Sequence, residues 1–160
     1  MSQKTRKFFD HCDRRILRTL QDAPELSQRE LGARVGLSAN ACWHRVQALK
    51  KKGFLLGFQA RLSRRALRLD LAVFVMVRTR HHSREWLEQF KRHVESIDEV
   101  VNFYRISGNY DYLLHIVTCN MSSFDQVYQR LINAVELDAV TSYFAIEEIA
   151  GDRPLPLGHL

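Results

Sequence analysis

The sequence predicts an α+β protein whose first part is helical and whose second part alternates strands with helices. Two observations support this division. Apolar residues recur at helical spacing through residue 49, whereas runs rich in β-branched residues begin at Leu71. The charge distribution changes near the same point of the chain. Residues 1–68 hold 16 Lys and Arg against 5 Asp and Glu, while residues 69–160 hold 8 against 13. The balance of +11 in the first part indicates a polyanionic partner, most commonly nucleic acid, with a solvated basic surface as the alternative.

Composition places the chain among globular proteins of one or two small domains. Of its 160 residues 46% are hydrophobic and 26% charged, too apolar a mixture for a disordered chain. No apolar run approaches the roughly 18 residues of a membrane span, and the polar residues 1–6 lack a signal-peptide core. Cys12, Cys42 and Cys119 are odd in number and far apart, which excludes a disulfide framework. We therefore expect a protein of the reducing cytoplasm without a membrane partner.

The first part contains the signals of three helices. The first helix starts at a cap at or beside Asp10 and ends at Ala23-Pro24, because proline disfavours helical geometry in the residue before it. The second starts at Ser27, which has Glu30 three residues later as in a capping box. Gly36 is a suitable C-terminal residue for this helix.

The third helix follows after a short turn. Ser38 caps it, and it ends in the run Lys50–Gly53, whose cations suit the negative end of the helix dipole. Two helices joined by such a turn, with another before them, are typical of a helix-turn-helix. Residues 54–60 predict a short hairpin that turns near Gly57, the wing of a winged helix. The inward residues of the three helices are Ile16, Leu17, Leu20, Leu31, Val35, Cys42, Val46 and Leu49.

The outward face of the third helix carries amide, imidazole and cationic side chains. Groups of these kinds read base edges or hold phosphates, so this face is the candidate DNA-contacting surface. A solvated helix face is the alternative interpretation. The predicted DNA-contacting residues are Gln28, Ser38, Asn40, His44, Arg45, Gln47, Lys50, Lys51 and Lys52.

The second part predicts the order βαββαβ, the split βαβ or ferredoxin-like arrangement. Strands are expected at residues 71–79, 99–107, 112–119 and 140–149, where apolar and β-branched residues concentrate. Ser83 caps the first intervening helix, and a capping box at Ser123 starts the second. Such a domain commonly leaves one sheet face free to pair with a partner. We assign residues 1–62 to a winged helix-turn-helix domain, 63–70 to a linker and 71–160 to the βαββαβ domain.

Two sets of motifs carry a family resemblance. The first set is Val35-Gly36-Leu37-Ser38, Cys42, Arg45-Val46, Leu49, Gly53-Phe54 and Gly57. The second, more specific set is the S-G-x-Y-D-Y-L-L run of residues 107–114, with Met121 and residues 144–149. With these motifs the chain resembles the Lrp/AsnC, or leucine-responsive, family of bacterial transcriptional regulators, over residues 10–156. The resemblance implies a winged helix-turn-helix followed by a ligand-binding domain (RAM or ACT-like) that forms homodimers and often octamers.

The resemblance also implies an effector pocket between neighbouring dimers. Its chemistry suits a free amino acid, because Gly108 lets backbone N–H groups approach a carboxylate and Asp111 accepts from an ammonium. A turn whose Asp111 merely caps its own backbone is the alternative. The residues implied are Arg105, Ile106, Gly108, Asn109, Asp111, Met121, Ser142 and Phe144.

One departure from the family concerns the start of the third helix. The chain has Ala39 and Ala41 where family members commonly have the two prolines of S-P-x-P-C. Proline fixes the first turn of a helix, so we expect a looser start of the third helix here, and the family's base preferences are not transferred to this chain.

Enzymatic and metal-binding signals are weak. The seven histidines lack ligand spacing with cysteines or carboxylates, and the chain shows no phosphate loop, catalytic triad or nucleophile elbow. We therefore expect no metal, no cofactor and no enzyme. The rival function is that of siroheme decarboxylases, which resemble this family, but their sequences carry a histidine where this chain continues Ile-Ser-Gly-Asn-Tyr-Asp after Arg105. A ligand sensor without DNA binding is a second rival, disfavoured by the basic first part. The expected function is regulation of transcription through double-stranded DNA, tuned by an amino acid.

Overall fold

The computed structural model describes residues 9–133 and 135–160. The prediction about the polar residues 1–6 lies outside the described residues. The helices are α1 (His11–Asp22), α2 (Gln28–Val35), α3 (Ala39–Lys51), α4 (Arg84–Glu95) and α5 (Met121–Asn133), and the strands are β1 (Leu71–Arg78), β2 (Val100–Arg105), β3 (Tyr112–Thr118) and β4 (Ala139–Phe144). The chain forms two compact units, one of residues up to Ala60 with Ala150–Leu160, the other of Arg61–Ile149. Within the described part of the chain, no helix is long and apolar enough to cross a membrane.

The first two helices begin with reciprocal capping boxes. At α1, an Asp10 carboxylate oxygen accepts from the Asp13 backbone N–H (2.9 Å), and an Asp13 oxygen accepts from Asp10 N–H (3.2 Å). At α2, Ser27 Oγ accepts from Glu30 N–H (3.3 Å), while Glu30 Oε2 accepts from Ser27 N–H (2.9 Å). These bonds satisfy N–H groups that the first helical turn leaves unpaired, and they confirm both predicted caps.

The turn between α2 and α3 also follows the sequence signals. Gly36 lies in the left-handed region with φ 71°, a conformation that closes a helix at little cost only for glycine or asparagine. Ser38 Oγ then accepts a hydrogen bond from Ala41 N–H at 3.2 Å. The helix begins at Ala39, so the serine cap forms its first turn without the prolines.

The core of the first unit is the inward face predicted from periodicity. Its buried cluster contains Ile16, Leu17, Leu20, Leu31, Val35, Cys42, Val46 and Leu49. Phe9, Phe54 and Leu157 pack against this cluster and stay partly exposed. Burial of these side chains holds the three helices together, because isolated helices of this length are marginally stable in water.

The predicted wing is not formed, and this part of the prediction is wrong. Residues 54–60 contain no strand, and the N–H groups of Phe54 and Leu55 both bond to the Leu49 carbonyl instead. Leu56 is 95% exposed and Phe58 52% exposed, so the segment lacks the alternating burial that fixes a strand on a core.

The second unit is a four-stranded antiparallel sheet in the order β2-β3-β1-β4. Val73, Val75 and Val77 of β1 are fully buried beneath α4 and α5. Successive strand residues point to opposite faces, so the alternate residues of β1 lie on the face away from these helices. We call that face the open face. This topology confirms the predicted βαββαβ arrangement.

Several boundaries in the second unit differ from prediction. The second strand is shorter at both ends than the predicted 99–107. The last strand ends at Phe144 rather than residue 149: Ala145 N–H still donates to the Ala72 carbonyl (3.0 Å), but Ile146 beyond it is fully exposed. The cap of α5 is Asn120, whose Oδ1 accepts from Ser123 N–H (3.0 Å), while Ser123 Oγ accepts from Asn120 N–H (3.0 Å). The predicted cap, Ser123, is thus the third residue of the helix.

The C-terminal segment, Ala150–Leu160, belongs to the first unit, whereas the predicted second domain ran from 71 to 160. Both polar ends of the Gln21 side chain bond to the backbone of Leu155, with Leu155 N–H donating at 2.5 Å and Gln21 Nε2 donating at 3.3 Å. Leu157 packs on the helical core. These contacts join residues more than a hundred positions apart, which local sequence patterns do not reveal.

Candidate functional site

The exposed face of α3 carries four of the predicted DNA-contacting side chains. Asn40, His44, Gln47 and Lys51 are all exposed and follow one another at spacings of four, three and four residues, which aligns them along one face. Their donors and acceptors form no hydrogen bond or ion pair with the described residues. The face therefore offers an amide, an imidazole, a second amide and an ammonium to a ligand.

Trp43 belongs to the same exposed surface, and the sequence prediction missed it. Its side chain is 45% exposed, and its ring meets that of His44 edge-on, with the centroids 4.9 Å apart. The contact restricts the His44 imidazole. The sequence could have indicated this exposure, because Trp43 follows the inward Cys42 by one position. It therefore lies about 100° from Cys42 around the helix, away from the buried face.

Arg45 has a different role from the predicted one. Its Nη1 lies 2.7 Å from Asp10 Oδ2 and 2.9 Å from Asp13 Oδ1, so the guanidinium joins α3 to the capping box of α1. Hydrogen bonds to Asp10 first, and to Asp13 second, raise the pKa of Arg45. Burial acts to raise the pKa of Asp10, but hydrogen bonds from the Asp13 backbone and Arg45 outweigh it and the net pKa is lowered. The sequence predicted that Arg45 faces outward and contacts DNA. The structure corrects this prediction, because the guanidinium is paired with Asp10 and Asp13 of α1.

The remaining predicted DNA-contacting side chains differ in the contacts that they make within the chain. Lys50 Nζ lies over the Phe58 ring, 5.5 Å from its centroid, which holds the ammonium beside the segment after α3. Lys52 is exposed and forms the C-terminal cap of α3. The Ser38 hydroxyl is used in the cap. Gln28, the first residue of α2, has an enclosed Oε1 that finds no hydrogen-bond partner among the described residues.

The loop between β2 and β3 is bound to the end of β1 through Asp111. Asp111 Oδ2 accepts from Thr79 N–H (2.9 Å), and Asp111 N–H donates to the Val77 carbonyl (2.9 Å). Ile106 N–H donates to the Asp111 carbonyl at 2.8 Å. The carboxylate thus has a structural role across strands, rather than capping its own turn, and its second oxygen is left for a further donor.

Gly108 and its neighbours are the exposed part of this loop. Gly108 has φ 129°, which side chains rarely adopt, and a Cβ built there meets no atom within 4 Å. Glycine is therefore required by conformation, with open space beside it. Asn109 is exposed as well. Arg105 lies at the rim of a cleft of about 410 Å³ with Lys91 and the buried Tyr112, whose pKa is raised by burial.

The other predicted effector residues lie elsewhere on the sheet. Phe144 pairs with Val73, whereas Asp111 bonds beside Val77, and four strand residues span about 13 Å. Ser142 is half-buried on the helix-covered side, and Met121 is 57% exposed at the start of α5. A single chain therefore does not bring the eight residues into one pocket.

The open face carries a row of four side chains in register. Asn102, His115, Phe74 and Tyr143 pair across β2, β3, β1 and β4. The His115 and Phe74 rings stack with centroids 4.7 Å apart, and His115 Nδ1 lies 3.1 Å from Asn102 Oδ1. Burial, and secondly Arg64, lower the pKa of His115, while Glu148 opposes them. Phe74 is 39% exposed and Tyr143 53%, so this row offers aromatic surface to a partner.

Metal-ligating residues do not converge in this part of the molecule. Over residues 9–133 and 135–160, no three His, Cys, Asp or Glu side chains are grouped so as to hold a metal ion. The described cysteines are free thiols.

Comparisons with known proteins match both units. A family model described as the Lrp/AsnC ligand binding domain matches residues 72–155, and one for winged helix-turn-helix DNA-binding matches residues 9–55. The DNA-binding transcriptional activator DecR of Escherichia coli K12 is 39% identical over 150 residues, which cover 93% of this chain and 99% of that protein.

Solved structures agree with this match. An AsnC family transcriptional regulator from Agrobacterium tumefaciens is 39% identical with a TM-score of 0.91, covering 95% of this chain and 99% of the other. A transcriptional regulator from Neisseria meningitidis, solved as a complex with L-methionine, is 31% identical with a TM-score of 0.89, covering 94% and 98%.

Proposed function

Since the chain belongs to the Lrp/AsnC family of DNA-binding transcriptional regulators, we propose that α3 reads operator bases and that an amino acid bound by the second unit tunes this binding. The exposed polar face of α3 is the observation that supports the DNA contact most directly. The relatives are transcriptional regulators rather than enzymes, and nothing in the comparisons supports a siroheme decarboxylase. The bacterial relatives act on a chromosome that lies in the cytoplasm, and we infer the same location for this chain.

Within α3, we assign base reading to Asn40 and His44 and phosphate binding to Lys51. An amide and an imidazole offer paired donors and acceptors to base edges, whereas an ammonium acts as a point charge on the backbone. Gln47 lies between these groups and extends the same face. This division predicts different consequences for sequence preference and for salt dependence.

The test is selection of operator sequences from a random duplex library by the wild-type protein and its variants. Asn40→Ala and His44→Ala should change the preferred bases, each costing about 1–3 kcal/mol of discrimination. Lys51→Ala should weaken binding to all sequences alike and flatten the salt slope by about one unit. Exposed residues of α4 give matched controls, Gln89→Ala and Arg92→Ala. Unchanged base preference in both Asn40→Ala and His44→Ala would contradict the proposal.

The effector proposal rests on the β2–β3 loop. Its exposed Gly108 and the second oxygen of Asp111 suit the carboxylate and the ammonium of an amino acid. L-Methionine is the first ligand to try, because the Neisseria relative was solved with it. A ligand present at about 100 times its Kd stabilises the native state by about 2.7 kcal/mol, so thermal-shift screening of the amino acids should find the effector.

Asp111→Asn separates the two roles of this carboxylate. The amide oxygen still accepts from Thr79 N–H, whereas the charge that attracts an ammonium is removed. We expect Asp111→Asn to keep the unfolding temperature of the free protein but to lose most of the effector response. Asp111→Ala would disturb the loop as well. A full response in Asp111→Asn would place the ligand elsewhere.

The open face supports a homodimer as the DNA-binding species. Its aromatic row presents apolar side chains on a sheet face that α4 and α5 do not cover. A dimer would also place two α3 helices on successive half-sites, about one helical turn of DNA apart. Assembly of dimers towards an octamer would bring loop and β4 residues from different copies together. Light scattering of Tyr143→Asp should show monomers, whereas Ile146→Asp, a matched exposed position, should leave the dimer intact.

A further inference from the structure

The predicted linker contains an ordered basic turn, formed by residues 63–69. Ser63 caps it, with Oγ accepting from Ala66 N–H (3.1 Å) and its carbonyl accepting from Leu67 N–H (3.0 Å). The turn closes where Leu69 N–H donates to the Arg64 carbonyl at 2.9 Å. A segment with these bonds holds its side chains in defined directions, which a flexible linker does not.

Arg64 anchors the turn. Its Nη1 donates to Glu148 Oε2 at 3.1 Å, and its Nη2 donates to the Leu69 carbonyl at 3.3 Å. The side chain of Arg64 is one-third exposed, less than that of its partner Glu148. This arginine therefore fixes the turn to the segment that follows β4.

Arg65 and Arg68 are displayed by the same turn. Both are exposed, and neither guanidinium has a hydrogen bond or ion pair to any residue in the described ranges. Arg68 has φ 57°, the left-handed region that glycine and asparagine occupy at less cost. An arginine there is unfavourable for the turn itself, so stability does not account for its charge.

We propose that Arg65 and Arg68 bind DNA backbone phosphates outside the bases read by α3, as a second contact that rests on the proposed function. Guanidinium groups bind phosphate oxygens in pairs and carry no base preference. Arg65 follows Lys51 by 14 residues, a length of chain that spans at most about 50 Å, or roughly one and a half turns of duplex. Arg65 is therefore within reach of phosphates that flank the bases read by α3.

The test is the salt dependence of binding to a mixed-sequence duplex several helical turns long, with the full-length protein. Each phosphate contact contributes about 0.9 to the slope of log K against log salt, so Arg65→Ala/Arg68→Ala should flatten it by about 2 per bound protomer. Between about 50 and 200 mM salt, the wild type should lose roughly tenfold more affinity per bound protomer than this variant. Arg84→Ala/Arg92→Ala removes two exposed arginines of α4 and should keep the wild-type slope.

A second variant separates charge from folding. Glycine adopts φ 57° without strain, so Arg68→Gly should flatten the slope by about 0.9 without lowering the unfolding temperature. Arg65→Lys/Arg68→Lys should restore most of the slope, because ammonium groups also bind phosphate. A wild-type slope in Arg65→Ala/Arg68→Ala, with Lys51→Ala flattened, would overturn this proposal and leave the proposed function standing. A wild-type protein that binds no duplex would overturn both.

Discussion

At the residue scale, neighbouring cations of α3 serve different purposes. Arg45 is held by Asp10 and Asp13 of α1, whereas Lys51 extends from the exposed face. The distinction depends on side chains more than thirty positions away from Arg45, so periodicity along α3 alone does not predict it.

The first prediction therefore concerns stability rather than DNA. Arg45→Ala should lower the free energy of unfolding of the first unit by about 1 kcal/mol, because the partly exposed ion pairs with Asp10 and Asp13 are lost while the capping-box hydrogen bonds remain. Lys51→Ala should stay within about 0.5 kcal/mol of wild type. Denaturant unfolding measures both. Equal stability of the two variants would return Arg45 to the DNA-contacting set.

The second prediction concerns pH and His115. Its pKa lies below the ordinary 6.5, so between the two values the unfolded chain carries a proton that the folded unit does not. Stability of the second unit should therefore rise with pH up to about 6.5 and fall on acidification. His115→Gln should weaken this dependence, because glutamine carries no titrating proton beside Phe74 and Asn102. His82→Gln, at an exposed position, is the control, and denaturation across pH is the measurement.

At the element scale, the accuracy of the sequence prediction follows the range of the interactions. The caps of α1, α2 and α3 were predictable because each uses residues within three positions of the helix start. The cap of α5 was assigned to Ser123 rather than to Asn120, because both residues of this reciprocal pair have side chains that can cap a helix. The wing prediction failed because a hairpin requires a surface to pack on: Phe54 and Leu55 pack on the helical core, but residues 56–60 are exposed.

The third prediction tests the packing of α2 against the following turn. A Cβ on Gly32 would lie 2.8 Å from the Leu37 carbonyl oxygen, and this backbone atom cannot move without displacing the start of α3. Gly32→Ala should therefore destabilise the first unit by about 1–3 kcal/mol, although alanine is the better helix former. In the exposed neighbour, Ala33→Ser should cost about 0.5 kcal/mol or less. A more stable Gly32→Ala variant, by thermal unfolding, would contradict the close approach.

At the scale of the whole molecule, the second unit begins at Arg61, and so includes the predicted linker 63–70, while Ala150–Leu160 belongs to the first unit. The buried faces of the helices and strands, and the order of these elements, could be predicted from the sequence. Apolar residues recur at the period of each element, and that period tells helix from strand. The joining of residues 150–160 to α1 could not be predicted, because Gln21 and Leu155 are 134 positions apart. The predicted effector residues do not meet within one chain, because Phe144 pairs with Val73 while Asp111 bonds to Val77 at the other end of β1.

The fourth prediction follows from that C-terminal segment. Deletion of residues 150–160 removes the bonds to Gln21 and the packing of Leu157, so it should lower the stability of the first unit by about 1–3 kcal/mol. Gln21→Ala should give a smaller loss in the same direction. Hydrogen exchange of α1 amides reports on this unit specifically. Unchanged exchange in the deletion variant would show that the segment contributes nothing to the helical core.

The same segment affects when the DNA-binding unit matures during synthesis. The three helices have left the ribosome's active centre once Ala60 is added, but Leu155 and Leu157 are joined to the chain about 90 residues later. At roughly 5–20 residues per second, that interval is about 5–20 s, and all four strands of the sheet are synthesised within it. The last contacts of the N-terminal helices therefore form on the finished polypeptide, so a nascent or truncated chain carries an incompletely closed helical core.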